Sequence, residues 1–511
     1  MSRFSYDDIP GIKNYGALHG AYRDQAVTKD HLTLVEKEKL QNKIVETLDK
    51  AIELTGLKNG MTVSFHHHFR NGDYIVNMVM DRLADMGFKD LTVAASSLSD
   101  CHAPLVKHIM SGVIKRIETS GLRGELAEAV SSGLMDLPVI FRSHGGRAYA
   151  IEQGDLPIDV AFIGTPSCDP FGNANGYSRE KECSIMCGAM GYAKSDSMYA
   201  KQTVVITSQI THYPNTPYGI SELGVDYIVQ VDEIGDPAGI MKGSTRFTQN
   251  PKELLMAETC VDVIDGVGLL QNNFSMQMGS GGASLAVARF IRQKMLEKSI
   301  CARFALGGIT GQIVDMHKEG LVRRILDVQS FDLQAAESLR DNRFHTQISA
   351  SFYASYGNPA AAVNQLDFVV LSALEIDTAF NVNVLTGSNG VIRGAIGGHP
   401  DTADGASVSV VLVPLTRGRI PCIVKRVNTV VTPGRTVDIL VTDQGVAVNP
   451  SRPELADALN CHGIHPVSVE DLQNKAERMV GIPAPIPYTD KIVGIVAWRD
   501  NSVIDVIRQV K

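Results

Sequence analysis

The stretch LPIDVAFIGTPSCDPFGNANG at residues 156–176 has a counterpart 208 residues later, QLDFVVLSALEIDTAFNVNV at residues 365–384. The same offset relates GVIKRI at residues 112–117 to GLVRRI at residues 320–325. Two separate stretches that share one ungapped offset indicate two fused copies of one domain. Four polar residues of the first copy recur in the second, as the pairs Asp159 and Asp367, Asp169 and Asp377, Asn173 and Asn381, and Asn175 and Asn383.

The length and composition limit the possible classes of protein. A chain of 511 residues exceeds what one hydrophobic core supports, and its 44% apolar content is typical of soluble globular proteins. A net charge of −8, without a cluster of basic and aromatic residues, argues against binding to nucleic acid. No apolar run approaches the roughly 18 residues of a membrane helix, and residues 1–16 lack the apolar core of a signal peptide. We therefore expect a cytoplasmic protein, and eight scattered cysteines fit a reducing compartment.

Short β-rich runs alternate with helical runs in both halves of the chain. The β-rich runs are apolar on both faces, which is typical of parallel strands covered by helices. The pattern predicts an α/β fold with two open, mostly parallel sheets in tandem, whose ligands bind beyond the carboxyl ends of the strands. Residues 28–56 predict a helix, packed on the first repeat or serving a partner subunit. The predicted divisions are a leader with this helix at 1–57, a first domain at 58–258 and a second domain at 259–511.

Two glycine-rich turns are candidates for contact with an anion. MQMGSGGASLAV spans residues 276–287 and precedes a predicted helix, and RGAIGGH spans residues 393–399. Glycine allows a tight turn and lets backbone N–H groups approach a ligand closely. A turn that merely connects a strand to a helix is the alternative for each. The glycines concerned are Gly279, Gly281 and Gly282 in the first turn and Gly394, Gly397 and Gly398 in the second.

One carboxylate distinguishes the two repeats. Glu375 aligns with Ser167 at the 208-residue offset, so this acid exists in the second half only. A carboxylate at a strand end can act as a base, as a nucleophile or as a group that positions a ligand, and a solvated loop glutamate is the alternative. Asp169, Asp377 and the paired asparagines occur in both halves, so we interpret them as side chains that bond turn backbones.

Three consecutive histidines occur in SFHHHFRNGD at residues 64–73. Adjacent residues on a strand point to opposite faces, so the three cannot converge on one ion, and we expect no metal site. His66 and His68 share a face and are expected to meet an anionic substrate together with Arg70.

Three arginines lie among glycines in predicted loops, Arg123 in SGLRGELAEAV and Arg142 and Arg147 in RSHGGRAYA. Arginine binds a carboxylate or phosphate through two parallel hydrogen bonds, which favours a role in anion binding. Surface salt bridges are the competing explanation.

These motifs together resemble the acyl-CoA transferases. The resemblance rests on QxGxG…AV from Gln277 to Val287, ExDxxxNVN from Glu375 to Asn383, and GxxGG from Gly394 to Gly398. From about residue 56 onward the chain is most similar to the family of citrate lyase alpha chains. The stretches that carry this similarity are VSFHHHFRNGDYIVNMVMD, SSLSDCHAPLVKHI, TSGLRGELAEAVSSGL, CDPFGNANGY and LSALEIDTAFNVNVLTGSNGVIRGAIGGH.

The resemblance implies two CoA-transferase-like domains and an enzyme that exchanges acetate for citrate on a thioester. Acetyl-carrier and citrate would give citryl-carrier and acetate. The implied thioester arm is phosphoribosyl-dephospho-CoA on a gamma acyl carrier subunit, or CoA itself, with no cofactor attached to this chain. A beta subunit would then cleave the citryl thioester. The implied assembly is an oligomer without nucleic acid or membrane.

The sequence departs from many acyl-CoA transferases at one position. Those relatives carry a catalytic glutamate early in the second half and form a covalent enzyme–CoA thioester. The matching stretch here, FALGGITGQ, has no carboxylate at residues 307–310. The resemblance therefore implies direct attack by a citrate carboxylate, through a mixed acetic–citric anhydride. The alternatives are a CoA-transferase or acyl-CoA hydrolase that uses Glu375, and a carrier-binding subunit without catalysis.

The sequence thus predicts three groups of site residues. Catalytic contacts are assigned to Glu375, Asn381, Asn383, Gly397 and Gly398. Thioester contacts are assigned to Gln277, Gly279, Gly281 and Gly282. Citrate contacts are assigned to Arg123, Arg142, Arg147, His66 and His68.

Overall fold

The computed structural model describes residues 43–178, 186–188, 190–240, 248–279 and 282–511. The described strands are β1 Ile44–Val45, β2 Thr62–Phe65, β3 Leu91–Ala95, β4 Ile114–Thr119, β5 Val139–Phe141, β6 Val160–Thr165, β7 Ser167–Cys168, β8 Ala174–Asn175, β9 Gln202–Thr207, β10 Tyr227–Gln230, β11 Ser275–Met278, β12 Phe304–Ile309, β13 Ile325–Ser330, β14 His345–Gln347, β15 Phe368–Ser372, β16 Glu375–Asp377, β17 Val382–Asn383, β18 Val408–Leu412, β19 Thr416–Arg417, β20 Ile420–Pro421, β21 Ile423–Val424, β22 Ile439–Thr442, β23 Gly445–Val448, β24 Tyr488–Ala497 and β25 Val503–Val510.

The described α-helices are α1 Leu48–Leu54, α2 Ile75–Asp85, α3 Leu105–Met110, α4 Gly124–Ser131, α5 His144–Gln153, α6 Gly191–Tyr199, α7 Pro251–Gly266, α8 Gly282–Lys298, α9 Gly311–Lys318, α10 Leu333–Asp341, α11 Ala350–Ala354, α12 His399–Gly405, α13 Pro453–Cys461 and α14 Val469–Val480. In the described part of the chain, no helix combines the length and apolarity needed to cross a bilayer.

Two large sheets organise the molecule. The first has ten strands in the order β1-β10-β9-β6-β2-β3-β4-β5-β24-β25, and the second has eight in the order β14-β13-β12-β11-β15-β18-β22-β23. Neighbouring strands are parallel in both sheets except for one antiparallel pair at an edge of each, β24 with β25 and β22 with β23. Central strands such as β2 and β6 are buried along their whole length, because helices cover both faces. The predicted fold of two open, mostly parallel sheets is confirmed.

The same polar loop follows one strand of each sheet. After β6, the Asn173 side chain donates to Asp169 Oδ2 at 2.8 Å, and after β15, the Asn381 side chain donates to Asp377 Oδ2 at 3.2 Å. The backbone N–H of each aspartate donates to the carbonyl of its asparagine at 3.0 Å in both copies. In both copies the aspartate side chain also accepts from a turn backbone, Asp169 from the Phe171 N–H and Asp377 from the Ala379 N–H, both at 3.0 Å.

The first described residues correct the predicted helix at 28–56. Residues 28–42 lie outside the described residues, and Ile44–Val45 form an edge strand that pairs with Ile228 and Val229. The helix itself spans only Leu48–Leu54, and the Thr47 hydroxyl caps it by accepting from the Lys50 N–H at 3.2 Å. Two β-branched residues suit a sheet edge better than a helix, and the threonine cap then sets where the helix begins.

The end of the chain returns to the first sheet. Strand β24 pairs with β5 in parallel register, with Gly494 opposite Val139. A Cβ at Gly494 would lie 3.0 Å from a ring carbon of Phe141, so glycine permits the close packing at this edge. The predicted second domain at 259–511 therefore does not keep its last two strands in its own sheet. The division at residue 258 stays a proposal.

The carboxyl ends of the two sheets face one another. Leu385, Ile392 and Ile396 come from the second half of the sequence, yet their side chains pack into the core beneath the first sheet. Backbone bonds join the halves beside this segment, and the His144 N–H donates to the Gly397 carbonyl at 2.9 Å. Ligands of parallel sheets bind beyond the carboxyl ends of the strands, so this junction is the expected site.

Candidate active site

A cavity of about 470 Å³ lies between the two sets of strand ends. Among the described residues that line it are four arginines and three histidines, but no aspartate or glutamate. A concave surface lined by one sign of charge concentrates anions of the opposite sign. The charged and polar lining residues include Arg70, Arg123, Arg393, Arg417, His67, His144, His399, Tyr192, Tyr353, Gln277, Gln329, Ser97, Ser99, Ser120 and Ser372.

Gln277 lies on β11, and its amide is held in one position. The Nε2 atom of Gln277 donates to the Tyr353 hydroxyl at 2.9 Å. Gly307 has a φ of 102°, and a Cβ there would lie 2.5 Å from the Gln277 side-chain carbon, so only glycine leaves room for the amide. A Cβ at Gly398 would lie 2.5 Å from the Tyr353 hydroxyl oxygen. Two glycines therefore make the space that this amide–phenol pair occupies.

The turn at Gly397 and Gly398 leads into α12. Gly397 has a φ of 57°, in the left-handed region that favours glycine. The next residue, His399, shares a hydrogen bond with Thr432 Oγ1 at 2.7 Å and approaches the Ser372 carbonyl at 3.2 Å. Burial lowers the pKa of His399 to about 4, so its imidazole is neutral near pH 7.

Stacked aromatic rings form the opposite wall. The His67 ring lies 5.0 Å from the Tyr192 ring and 5.8 Å from the His144 ring, measured between centroids. Burial lowers the pKa of His67 well below its usual value and that of His144 to about 3. These imidazoles are therefore neutral, and the positive charge of the cavity comes from its arginines.

Three of the four arginines are exposed at the cavity. Arg417 donates to the carbonyls of Ala373 at 2.7 Å and Leu374 at 3.0 Å, and Arg393 donates to the Asn389 side chain at 3.2 Å. Arg123 precedes α4, where its exposed side chain extends from the N-terminal end of the helix. Within the described residues, none of these guanidinium groups pairs with a carboxylate, so their charge is available to a ligand.

The other two predicted substrate arginines do not line the cavity. Arg142 Nε donates to Glu118 at 2.8 Å, and Arg147 donates to both carboxylate oxygens of Asp196 at 2.6 and 2.8 Å. Both pairs are buried. The structure therefore does not bring these two arginines to the cavity, and a carboxylate of the fold accepts from each guanidinium.

His66 and His68 are also placed away from the cavity. Their rings pack against each other with centroids 4.1 Å apart, and burial lowers the pKa of His66 to about 4. All three histidines follow β2, which ends at Phe65, so the strand predicted through them is wrong, and of the three only His67 lines the cavity. The structure therefore does not bring His66 and His68 to the cavity surface.

The predicted acid and asparagines support a loop rather than the cavity surface. Glu375 Oε1 accepts from the Asn428 N–H at 2.6 Å and from the Asn383 side chain at 2.9 Å, and burial raises the pKa of this carboxyl. Asn381 Oδ1 accepts from the Gly434 N–H at 2.9 Å. None of the three lines the cavity. The structure therefore places their polar groups where they hold neighbouring turns and not at the cavity surface.

Five predicted site residues do line the cavity, namely Gln277, Gly279, Gly397, Gly398 and Arg123. Gly282 begins α8 and is not among the lining residues, and Gly281 lies outside the described residues. Sequence reasoning missed Tyr353, His144, Tyr192, Gln329 and Arg417. No local motif marks Tyr353, because only the fold brings it to Gln277. Within the described residues, no three His, Cys, Asp or Glu side chains form a group suited to a metal ion.

Comparison with known proteins gives a consistent result. The family model for the citrate lyase alpha subunit matches residues 41–510. The citrate lyase alpha chain of Escherichia coli (strain K12) is 57% identical over 469 residues, covering 92% of this chain and 91% of the relative. That of Klebsiella pneumoniae is 55% identical over 476 residues, covering 93% of each.

Solved structures show the same relationship. An alpha subunit of citrate lyase from Streptococcus mutans, solved in complex with citrate, has a TM-score of 0.90 and 52% identity, covering 94% of this chain and 93% of that chain. The alpha subunit of a malonate decarboxylase from Acinetobacter baumannii has a TM-score of 0.63 at 14% identity, covering 88% and 94%. The second likeness concerns the fold alone.

Proposed function

The chain belongs to the citrate lyase alpha-subunit family, and from that premise we propose which of its groups carry out the transfer. It is the acyl-transferase component of a multi-subunit citrate lyase. It replaces the acetyl group of a carrier thioester by a citryl group and releases acetate. The observation that carries our assignment is the arginine-rich cavity between the two sheets, which no acid of the described residues lines. Its volume of about 470 Å³ suits a small ligand and the end of a thioester arm.

The nucleophile in this proposal is citrate itself. One citrate carboxylate oxygen attacks the acetyl carbonyl carbon, and the bond from that carbon to sulfur breaks. The products of this step are a mixed acetic–citric anhydride and a thiolate. The thiolate then attacks the citryl carbonyl of the anhydride, which forms the citryl thioester and releases acetate. A carboxylate is already deprotonated near pH 7, so the neutral histidines of the cavity are not required as bases.

Stabilising the developing oxyanion is the main task of the protein. The Gln277 amide has a second N–H beyond the one that it donates to Tyr353, and we assign that N–H to the oxyanion. Backbone N–H groups of Gly397 and Gly398 are the second source of donors. Gly279 contributes space instead, since its N–H already donates to the Val370 carbonyl at 2.8 Å. Arg123 is assigned to a citrate carboxylate.

The position of Glu375 argues against the alternative of a covalent enzyme intermediate. Its carboxylate holds the Asn383 and Asn428 groups and does not line the cavity. The stretch from Gly307 to Thr310 supplies no other carboxylate at the position that many related transferases use.

We further propose the partners and the location. The thioester arm is phosphoribosyl-dephospho-CoA on a gamma acyl carrier subunit, and a beta subunit cleaves the citryl thioester within one oligomer. Membership in the citrate lyase family supports both assignments. We also propose a cytoplasmic location, which the seven free thiols among the described residues support.

One assay tests the proposed function. The purified chain is given citrate and acetyl-CoA, which stands in for the carrier thioester, and the products are separated by chromatography. Formation of citryl-CoA and acetate in equal amounts is expected, and Gln277→Ala should reduce it strongly. Absence of citryl-CoA with both acetyl-CoA and an acetylated carrier subunit would contradict the proposal.

A further inference from the structure

Arg70 is a cation without a counter-ion. It lines the cavity, and its Nη1 atom is shut off from solvent with no hydrogen-bond partner. Burial is the largest cause that lowers the pKa of Arg70, and the guanidinium of Arg123 lowers it further. The pKa remains about 10, so Arg70 is charged near neutral pH. Among the described residues, no carboxylate forms an ion pair with it, and the half-buried side chain loses part of its hydration without compensation.

The backbone and the ring beneath it hold Arg70 in this position. Its φ of 52° lies in the left-handed region, which is uncommon for a residue with a side chain. Its guanidinium carbon lies 4.7 Å from the centre of the Phe331 ring, which comes from the second half of the sequence. Strained backbone at a cavity wall is retained where the position of the side chain matters. The site is thus built to hold a guanidinium that the protein itself does not neutralise.

We propose that Arg70 binds a carboxylate of citrate that takes no part in the bond exchange, and thereby selects citrate over acetate as the acyl acceptor. This inference rests on the proposed function. Acetate has one carboxylate, which is the attacking group. Citrate has two more carboxylates. Each loses its hydration on entering the cavity, and this loss is costly unless a cation pairs with the carboxylate. Arg70 and Arg123 lie close enough to influence each other and so offer positive charge for both spare carboxylates.

The neighbours of Arg70 fit this role because they do not compete for it. His67 and His144 are neutral, and the burial of Tyr192 raises the pKa of its phenol well above the usual value. No anion among these groups neutralises Arg70 before substrate arrives. An incoming carboxylate is therefore the group that completes its ion pair.

Two reactions of the same enzyme distinguish an effect on citrate recognition from an effect on the bond exchange itself. The first is transfer, measured as citryl-CoA formed from acetyl-CoA and citrate. The second is exchange, measured as labelled acetate entering acetyl-CoA, which needs the same attack but no spare carboxylate. Arg70→Met should lower kcat/KM for citrate by about a hundredfold or more, the scale of losing one partner of a buried charge pair. Acetate exchange should change by less than about threefold.

A binding measurement and two further variants complete the test. Citrate should raise the melting temperature of the wild-type chain, and Arg70→Met should abolish that rise while the ligand-free melting temperature is not lowered. Arg70→Lys keeps the charge without the planar fork, and should raise the citrate KM at least tenfold with acetate exchange kept. Arg116→Met removes an exposed arginine of β4 outside the cavity and should leave both reactions unchanged.

The outcomes separate this inference from the proposed function. Retained citrate transfer in Arg70→Met overturns the inference, and so does an equal loss of both reactions, which would place Arg70 in the shared step. If Arg70→Met does not fold, Arg70→Lys decides by the same comparison. A wild-type chain that shows neither transfer nor exchange would instead contradict the proposed function.

Discussion

Arg147 and Asp196 form a two-pronged buried ion pair, with Nη1 to Oδ1 at 2.6 Å and Nη2 to Oδ2 at 2.8 Å. Removing one partner leaves the other charge buried and uncompensated. Arg147→Met should therefore lower the free energy of unfolding by about 3–5 kcal/mol, measured by urea denaturation. The citrate KM of the folded enzyme should not rise. The exposed pair of Arg82 and Asp49 is the control, since Arg82→Met should lower the free energy of unfolding far less. A raised citrate KM at unchanged stability would return Arg147 to the substrate site.

Arg123 is expected to behave in the opposite way. It lines the cavity without a carboxylate partner among the described residues, so its fork is free to receive citrate. Arg123→Lys should raise the citrate KM about tenfold and leave the acetyl-CoA KM and the stability unchanged. Steady-state kinetics with each substrate varied in turn measures this, and Arg116→Lys is the matched control. A change confined to the acetyl-CoA KM would assign Arg123 to the thioester arm.

The Gln277 amide is expected to donate to the oxyanion while its hydrogen bond to Tyr353 holds it in position. Gln277→Ala should reduce kcat by about 10²–10³, the loss of one oxyanion donor. Gly398→Ala should also reduce kcat, because the new Cβ would lie 2.5 Å from the Tyr353 hydroxyl oxygen and displace it. In a Tyr353→Phe background, Gly398→Ala should reduce kcat much less, because the hydroxyl oxygen that the new Cβ would crowd is absent. Additive losses in this double-mutant cycle would show that the glycine acts independently of Tyr353.

Glu375 should prove structural. Glu375→Gln keeps an oxygen acceptor for Asn428 and Asn383, so turnover should stay within about threefold, with a loss of stability near 1 kcal/mol. Borohydride treatment of enzyme incubated with acetyl-CoA should leave Glu375 unmodified by mass spectrometry. Reductive modification at Glu375, together with a loss of turnover in the glutamine variant, would establish the covalent mechanism instead.

The buried histidines predict a loss of stability in acid. Burial lowers the pKa of His66 from 6.5 to about 4, so between these pH values the histidine is protonated in the unfolded chain but neutral in the folded protein. Stability is therefore lost as the pH falls through 6.5 towards 4. His66→Leu should reduce the stability difference between pH 7.5 and pH 5 by roughly 2 kcal/mol, measured by urea denaturation at each pH. His462→Leu, at an exposed helix end, should leave that difference unchanged.

Patterns in sequence predicted the parts of this molecule that depend on local chemistry. Short runs apolar on both faces and the 208-residue repeat led to the two parallel sheets, and the glycine turns led to Gln277, Gly397 and Gly398. The site residues that the sequence did not place share one physical cause. Whether Arg142 meets a ligand or Glu118 depends on which carboxylate a neighbouring strand presents, and no local pattern records that. The pairing of Tyr353 with Gln277, 76 residues apart, likewise exists only once the sheet has formed.

The return of the chain to its first sheet has a consequence for synthesis on the ribosome. Strand β5 ends at Phe141, but its outer neighbour β24 pairs with it only from Gly494 onward. At typical rates of translation the interval between them is on the order of tens of seconds. During that time β5 presents an open row of backbone donors and acceptors, which is a site for pairing with another nascent chain. The second sheet must therefore be made, and the chain must turn back, before the first half of the protein is safe from aggregation.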